Sequence, residues 1–318
     1  MIDLMSKRKF FFIFSAVLIL IGLAFFLING GFNWDIQFEG GTIIKIEMKD
    51  DNYDAAAAEA AIENLLGKGV TVQKETTFNP DDQDNKLALM SIKVSKENTL
   101  DNDEINQVID YLETSPDFFV NTETQPQIQS VAPFIGVELR NKALMAAGWA
   151  MLLIVIYVGI RFRVMSGISA ALFGIVALIH DALIMLSVYT VFNIPVNEVF
   201  VAAILTIIGY SMNDTIVIYD RIRENSSVMS KSDIEKMVNT STWQSLPRTI
   251  NTLVTTLLTI VTLYIFASIY NVDSIKQFAF PLIIGLTSGS YSSIFIATPL
   301  WMMWRKYSIK KKLLEAKS

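Results

Sequence analysis

The chain has 318 residues, of which 52% are hydrophobic, and its mean hydropathy is +0.41. A soluble globular domain does not need this much apolar content, so a membrane protein is expected. With no cysteine and one histidine, the chain excludes a disulfide framework and a thiolate site, and a histidine-based metal site is not expected. We expect no metal and no cofactor.

The charge is unevenly distributed along the chain. Residues 31–137 hold 20 acidic and 7 basic residues, a net charge of −13, whereas the remainder carries +8. One acidic, polar block is therefore set into a basic and apolar frame. This pattern favours a membrane protein with one large polar segment and disfavours nucleic acid as a partner.

The first apolar segment runs from Phe10 to Ile28. It is long enough to cross a hydrocarbon core of about 30 Å. Lys7, Arg8 and Lys9 precede it, which predicts a cytoplasmic N-terminus. A cleaved signal peptide is the competing interpretation, but residues 29–34 contain no small-x-small cleavage site.

The acidic block, residues 31–137, is predicted to lie outside the cytoplasm. Its pattern predicts the order β-α-β-β-α-β, which is typical of a ferredoxin-like α+β domain. Gly40 and Gly41 are expected to form a backbone turn where this domain joins the membrane. The predicted strands are Thr42–Met48, Val70–Phe78, Lys86–Val94 and Phe118–Val131, and the predicted helices are Tyr53–Leu66 and Asp101–Leu112.

Five further apolar spans follow the acidic block, and the connections between them alternate in charge. Every basic connection falls on the side of the N-terminus, which predicts six transmembrane helices with both termini in the cytoplasm. The expected organisation is the N-terminus with the first helix (1–30), the extracytoplasmic domain (31–137), a five-helix bundle (138–305) and a basic cytoplasmic tail (306–318). The five spans are approximately Ala143–Ile160, Ser166–Tyr189, Val199–Tyr219, Ile250–Tyr270 and Phe278–Trp304.

Asp214 and its neighbour Asn213 interrupt the fourth span. An ionisable side chain inside a membrane helix is costly and indicates function, unless the span simply ends before Asn213. Asp214 is expected about 9 Å from the cytoplasmic end of this span. Arg248 opens the fifth span near the same face, so the two charges could pair across the helices. Alternatively, Arg248 is an ordinary snorkelling charge.

The third and sixth spans also carry polar residues. His180 and Asp181 are expected about 22 Å from the cytoplasmic start of the third span, well away from Asp214. They either take part in the function or form hydrogen bonds that hold neighbouring helices together. Gly285 and Gly289, with serines at 288, 290, 292 and 293, predict a helix that packs closely against its neighbours, preferably against helices of the same chain.

No phosphate-binding loop or nucleophile elbow occurs, so no ATPase or hydrolase activity is expected.

Four segments resemble a known family, the SecF subunits of the SecD–SecF protein-export complex, in the resistance-nodulation-division superfamily. The longest runs from Gly209 through Asp214 to Asn225. Residues 35–41 resemble the family's D-F-x-G-G motif, with Ile36 and Gln37 inserted. The other two are Val131–Pro133 with Gly136–Leu139, and Leu246–Thr249.

The resemblance implies a non-enzymatic role in late protein secretion across the bacterial cytoplasmic membrane. The partners would be SecD, the SecY–SecE–SecG channel, the SecA ATPase indirectly, and an unfolded preprotein. By position, Asp214 would carry the coupling proton with Arg248 as charge partner and Asn213 beside it, while His180 and Asp181 would support them. The alternatives are a small-molecule exporter of the same superfamily and a static scaffold.

Overall fold

The computed structural model describes residues 3–50, 52–78, 86–95, 99–163, 167–229, 233–270 and 272–315. Within these ranges the chain forms ten α-helices and four β-strands. The helices are α1 (Arg8–Ile28), α2 (Ile36–Glu39), α3 (Ala55–Leu66), α4 (Asn102–Thr114), α5 (Pro133–Arg161), α6 (Gly167–Val191), α7 (Glu198–Val228), α8 (Ile234–Ile269), α9 (Asp273–Ser292) and α10 (Thr298–Glu315); the strands are β1 (Gly41–Met48), β2 (Val70–Phe78), β3 (Lys86–Ser95) and β4 (Gln127–Val131).

Six helical segments in the described ranges are long and apolar enough to cross a membrane, which confirms the predicted number. They are α1, α5, α6, α7, α8 and the continuous helix from α9 into α10. Four extend well beyond the predicted spans, since α5 begins at Pro133, α7 ends at Val228, α8 begins at Ile234 and α10 ends at Glu315. Hydropathy detects only the apolar part of a helix, and these helices continue as polar turns. The predicted start of the third span, Ser166, lies outside the described residues.

The acidic block forms a four-stranded sheet with two helices. The elements follow the order β1-α3-β2-β3-α4-β4, and the strands lie in the order β2-β3-β1-β4. All neighbouring strands are antiparallel, with Ile44 of β1 opposite both Ile92 of β3 and Ile128 of β4. Apolar side chains from the sheet and both helices form one core beneath it, including Ile44, Ile62, Met90, Ile92, Val108 and Leu112.

Local signals fix both helices of this domain. The Asp54 carboxylate accepts hydrogen bonds from the N–H groups of Ala56 and Ala57 at the start of α3, and Gly67 ends α3 with φ = 63°. At the start of α4, Asp101 and Glu104 form a reciprocal capping box. These contacts satisfy backbone donors that have no partner within a helix.

The domain joins the membrane bundle through a glycine turn and a short backbone pairing. Gly40 and Gly41 have φ values of 83° and 138°, as the prediction of a turn requires. A Cβ on Gly40 would lie 2.6 Å from the Cα of Pro133, so only glycine fits this crossing. The Asp35 N–H donates to the carbonyl of Val196, which ties this segment to the α6–α7 connection.

Two apolar cores occupy the membrane bundle, and a polar layer that lies between them along α6 and α9 also includes residues of α7. In α6, Asp181 lies between Leu178 of one core and Met185 of the other. The buried polar residues of this layer are His180, Asp181, Ser211, Asp214, Thr215, Ser288, Ser290, Ser292 and Ser293.

Candidate functional site

Asp214 lies inside α7, with only 3% of its surface exposed. Its Oδ2 accepts a hydrogen bond of 2.8 Å from Ser290 Oγ on α9. Among the described residues, Ser290 is the one hydrogen-bond partner that another helix provides for the Asp214 side chain. A buried carboxylate is costly unless it is paired or protonated, so Asp214 occupies a site where a proton can be bound or released.

Asp181 is the centre of a larger set of hydrogen bonds. Only 1% of its surface is exposed. Its Oδ1 is 2.7 Å from Ser288 Oγ and 3.2 Å from His180 Nδ1, and its Oδ2 is 2.7 Å from Ser211 Oγ and 2.8 Å from Ser292 Oγ. This carboxylate therefore links α6 to α7 and α9.

The serines of α9 are divided between the two carboxylates by helical geometry. Ser288 and Ser292 are four residues apart, so they share one face and both bond Asp181. Ser290 is displaced from each by about 160° around the axis and bonds Asp214. A π-helical turn follows directly at Ser293–Ala297, and such turns occur frequently at functional sites. The α9 segment 288–292 is therefore held between two buried carboxylates.

The prediction that Asp181 lies well away from Asp214 was wrong, because both carboxylates contact the same segment of α9. Asp181 lies 14 residues after the start of α6 at Gly167, and Asp214 lies 14 residues before the end of α7 at Val228. Both are thus about 21 Å from the same end of the bundle at 1.5 Å per residue. They belong to one layer because Ser288 and Ser292 of α9 bond Asp181 while Ser290, between them, bonds Asp214.

The predicted direct pairing of Asp214 with Arg248 is not present. No ion pair within 4.0 Å joins them in the part of the chain that the structure describes, and the Arg248 side chain is exposed on α8. Asn213 is also exposed, on the outer side of α7, so it does not join the buried layer.

The glycines of α9 pack within the chain, as expected. A Cβ on Gly285 would lie 2.4 Å from Ile207 Cγ1, and one on Gly289 would lie 2.8 Å from Ser211 Cβ. This close approach brings the α9 hydroxyls within reach of α6 and α7.

Sequence reasoning missed two members of the layer. Ser15 of α1 bonds His180, and Tyr291 of α9 bonds Ser15. The sequence feature that could have identified Ser15 is a hydroxyl within the otherwise apolar α1. For Tyr291, the sequence offers only its position among the serines of α9.

The fold and this buried layer define a multi-pass α-helical membrane protein with ionisable groups inside its bundle. Residues 113–307 match the family described as protein export membrane protein SecD/SecF, C-terminal. Over 97% of its length the chain is 34% identical to the protein translocase subunit SecF of Alicyclobacillus acidocaldarius, 94% of which it covers. It is 36% identical to the same subunit of Synechocystis, covering 96% of it. The chain therefore belongs to the SecD/SecF family of protein export membrane proteins, and the resemblance to SecF is confirmed.

Longer members of the family contain this chain as one part. The chain is 33% identical to the protein translocase subunit SecDF of Bacillus subtilis but spans 39% of its length. The crystal structure of SecDF from Thermus thermophilus, described as a translocon-associated membrane protein, superposes with a TM-score of 0.76 at 26% identity. That likeness covers 96% of this chain and 39% of the SecDF chain.

Proposed function

We propose that this chain is an accessory, non-enzymatic subunit of the Sec export machinery that uses an ion gradient, together with SecD, to promote late translocation and release of preproteins. The observation that carries the proposal is Asp214, a carboxylate buried within an apolar helix and bonded by one serine hydroxyl. Ionisable groups in such positions mark ion and proton pathways in membrane proteins.

The Asp214–Ser290 contact suits proton exchange. A hydroxyl donates to a carboxylate, and it accepts from a carboxylic acid, so Ser290 can stay bonded to Asp214 in both protonation states. Arg248 lies on α8. Movement of α8 relative to α7 that brought this positive charge nearer to Asp214 would favour release of the proton, and movement away would favour its uptake. His180 and Asp181 support this arrangement through α9.

SecD is the proposed partner in the membrane. The outward face of α7 carries small or polar residues, including Thr206 and Asn213, and that of α8 carries Arg248, Asn251 and Thr255. Small and polar residues are typical of helix–helix interfaces in membranes, where lipid would favour apolar ones. The fusion of both parts in SecDF proteins supports the same pairing.

The acidic domain is proposed to lie outside the cytoplasm, to be ferredoxin-like, and to hold the emerging unfolded preprotein. Its antiparallel strand order β2-β3-β1-β4 supports that fold. The charge distribution supports cytoplasmic termini in the bacterial cytoplasmic membrane. The SecY–SecE–SecG channel, with SecA acting on its cytoplasmic side, would then deliver the preprotein to this domain.

The proposal is tested by Asp214→Asn in a SecD-dependent export assay. We expect loss of export stimulation with unchanged membrane insertion and unchanged association with SecD. Asp273→Asn is the matched control, because Asp273 is a half-buried residue at the start of α9 that pairs with Lys276 and lies outside the buried layer. Normal export by Asp214→Asn would disprove ion coupling at this residue.

Two further outcomes separate the alternatives. An efflux defect with normal secretion on deletion would identify a small-molecule exporter. Retained activity after exchange of the charges at Asp214 and Arg248 would identify a static scaffold, because a proton carrier depends on its local surroundings.

A further inference from the structure

A chain of hydrogen bonds leaves Asp181 on the side away from Asp214. His180 Nδ1 lies 3.2 Å from Asp181 Oδ1, and His180 Nε2 lies 3.0 Å from Ser15 Oγ. Ser15 Oγ donates to Tyr291 Oη at 3.2 Å, and Tyr291 Oη donates to the carbonyl of Phe11 at 2.8 Å. His180 and Asp181 are both buried, so the chain connects the polar layer with α1 through the interior of the bundle.

The hydrogens in this chain can be counted. The Tyr291 hydrogen is used on Phe11, and the Ser15 hydrogen is used on Tyr291. The contact between His180 Nε2 and Ser15 therefore needs a hydrogen on Nε2, and the contact between Nδ1 and Asp181 needs a second one, on either atom. A neutral imidazole beside an ionised carboxylate supplies only one of these two hydrogens. For every hydrogen bond from Asp181 to Phe11 to form, the His180–Asp181 pair must therefore hold one additional proton.

We propose that the His180–Asp181 pair is a second proton-binding site of the membrane bundle, whose proton-loaded form satisfies every hydrogen bond in this chain. The pair then has no net charge, as imidazolium with carboxylate or as imidazole with carboxylic acid, and the proton belongs to the pair. Loss of the proton to solution leaves a net charge of −1 in a site with little water access. No electrons move in either direction.

The surroundings of the pair provide no other charge. The groups that bond it are Ser15 from α1, Ser211 from α7, and Ser288 and Ser292 from α9. In the described part of the chain, α5 and α10 contribute no hydrogen bond to it, and no lysine or arginine lies within ion-pair distance of Asp181. The other titratable groups nearby are Tyr291, at the end of the same chain, and Asp214, one turn beyond Ser211 on α7. A proton is therefore the available means of neutralising the pair.

The location connects the pair to Asp214. Ser211 bonds Asp181 and lies three residues before Asp214. Ser288 and Ser292 bond Asp181 from either side of Ser290, which bonds Asp214. Loss of the proton strengthens the attraction of Asp181 for these three hydroxyls and thereby alters the α7–α9 contact at Asp214. This connection rests on the proposed ion coupling, whereas the proton site itself does not.

The test uses the single histidine of the chain. The full-length protein, purified in lipid nanodiscs with a tag that contains no histidine, is labelled with ¹⁵N-histidine, so every ring signal belongs to His180. Ring-nitrogen shifts are followed between about pH 5 and 8, where histidine normally titrates. Infrared spectra of the parent and of Asp181→Asn show whether Asp181 carries a protonated carboxyl group.

We expect either an imidazolium that loses one proton across this range or a neutral imidazole with a carboxylic-acid band that Asp181→Asn removes. A neutral imidazole throughout, without that band, would overturn the proposal. Neither measurement depends on SecD or on export, so failure here is distinct from failure of the Asp214→Asn test.

Two variants test the hydrogen count. Tyr291→Phe frees the Ser15 hydrogen to bond Nε2, and Ser15→Ala removes the acceptor of the Nε2 hydrogen. Each lowers the need for the additional proton, so at one fixed pH the protonated fraction of the pair, read from the same two spectra, should be lower than in the parent. Ser187→Ala is the control, because this α6 hydroxyl bonds the Leu183 carbonyl of its own helix. An unchanged protonated fraction in both variants would contradict the proposal.

Discussion

At the scale of single residues, the two buried aspartates differ in their hydrogen bonds. Asp181 has four partners on its two oxygens, whereas in the described part of the chain Asp214 is bonded by Ser290 alone among side chains of other helices. A carboxylate oxygen can accept more than one hydrogen bond, so Asp214 retains free acceptor sites. These can bind a proton or a group from a partner chain. The contact with Ser290 is therefore expected to matter for coupling.

Replacing Ser290 with alanine removes this hydroxyl. Hydrogen bonds to charged groups contribute about 1.5–3 kcal/mol, so we expect export stimulation to fall by about tenfold or more. Thr287→Ala is the control, since Thr287 is exposed on the same helix and its hydroxyl bonds the Ile283 carbonyl. The measurement is SecD-dependent export at matched membrane levels. Equal activities for the two variants would exclude a role for Ser290.

At the scale of secondary-structure elements, α9 holds the polar layer together by packing closely against α7. Gly289 faces Ser211, and the π-helical turn begins four residues later, at Ser293. The Ser293 hydroxyl donates to the carbonyl of Ser211 at 3.0 Å. A side chain at position 289 would separate the two helices at the level where their hydroxyls meet the carboxylates.

Gly289→Ala tests this packing. The added Cβ would lie 2.8 Å from Ser211 Cβ, so we expect destabilisation of about 1–3 kcal/mol. Gly148→Ala is the matched control, because a Cβ on this α5 glycine meets nothing within 4 Å and alanine favours a helix by about 1 kcal/mol. Denaturation in detergent measures the free energy of unfolding of both variants. If Gly289→Ala were as stable as Gly148→Ala, α9 could shift away from α7 without loss of stability, and the predicted packing constraint would be wrong.

Helix α4 of the acidic domain should respond to acid through its capping box. The hydrogen bond from Lys68 and then the backbone N–H of Asp101 lower the pKa of Glu104 below its usual 4.5. Because the folded-state pKa is lower, this stabilisation is present above pH 4.5 and is lost as the pH falls through the folded-state pKa. Hydrogen exchange of the first turn of α4, corrected for its intrinsic rate, should therefore increase a few-fold in acid. Glu104→Gln should show no such dependence, and an identical acid response would rule out this carboxylate as its origin.

At the scale of the whole molecule, the apolar pattern predicted six spans because each one contains a continuous hydrophobic segment. It could not show that α7 and α8 continue beyond their apolar spans, since polar turns carry no such signal. Counting along single spans separated Asp181 from Asp214, whereas the packing of α9 brings both into one layer and makes Ser290, not Arg248, the hydrogen-bond partner of Asp214. The serines of α9 were visible in the sequence, but their assignment to two carboxylates depends on how three helices pack.

The topology that the charges predict can be tested directly, because the chain contains no cysteine. Thr122→Cys, exposed in the acidic domain, should react with a membrane-impermeant maleimide in intact cells whose outer barrier is opened. Ser227→Cys, exposed at the end of α7, should react only after the membrane is disrupted. The reverse pattern would place the acidic domain in the cytoplasm and exclude the proposed contact with an exported chain.

The outward faces of α7 and α8 set how this bundle would meet SecD. Thr255 lies in the middle of the polar stripe on α8, and its hydroxyl bonds the Asn251 carbonyl of its own helix, so nothing in the described chain covers it. Thr255→Trp should reduce co-purification with SecD at least several-fold, because a bulky ring prevents close approach of two helices.

Leu153→Trp provides the control on α5, where the parent side chain is 63% exposed and the surrounding face is apolar. A ring on that face remains in contact with lipid, so SecD recovery should match that of the parent. Loss of SecD with Leu153→Trp but not with Thr255→Trp would place the interface on α5. The buried layer would then lie on the far side of the bundle from SecD, and ion passage between the two subunits at Asp214 would be excluded.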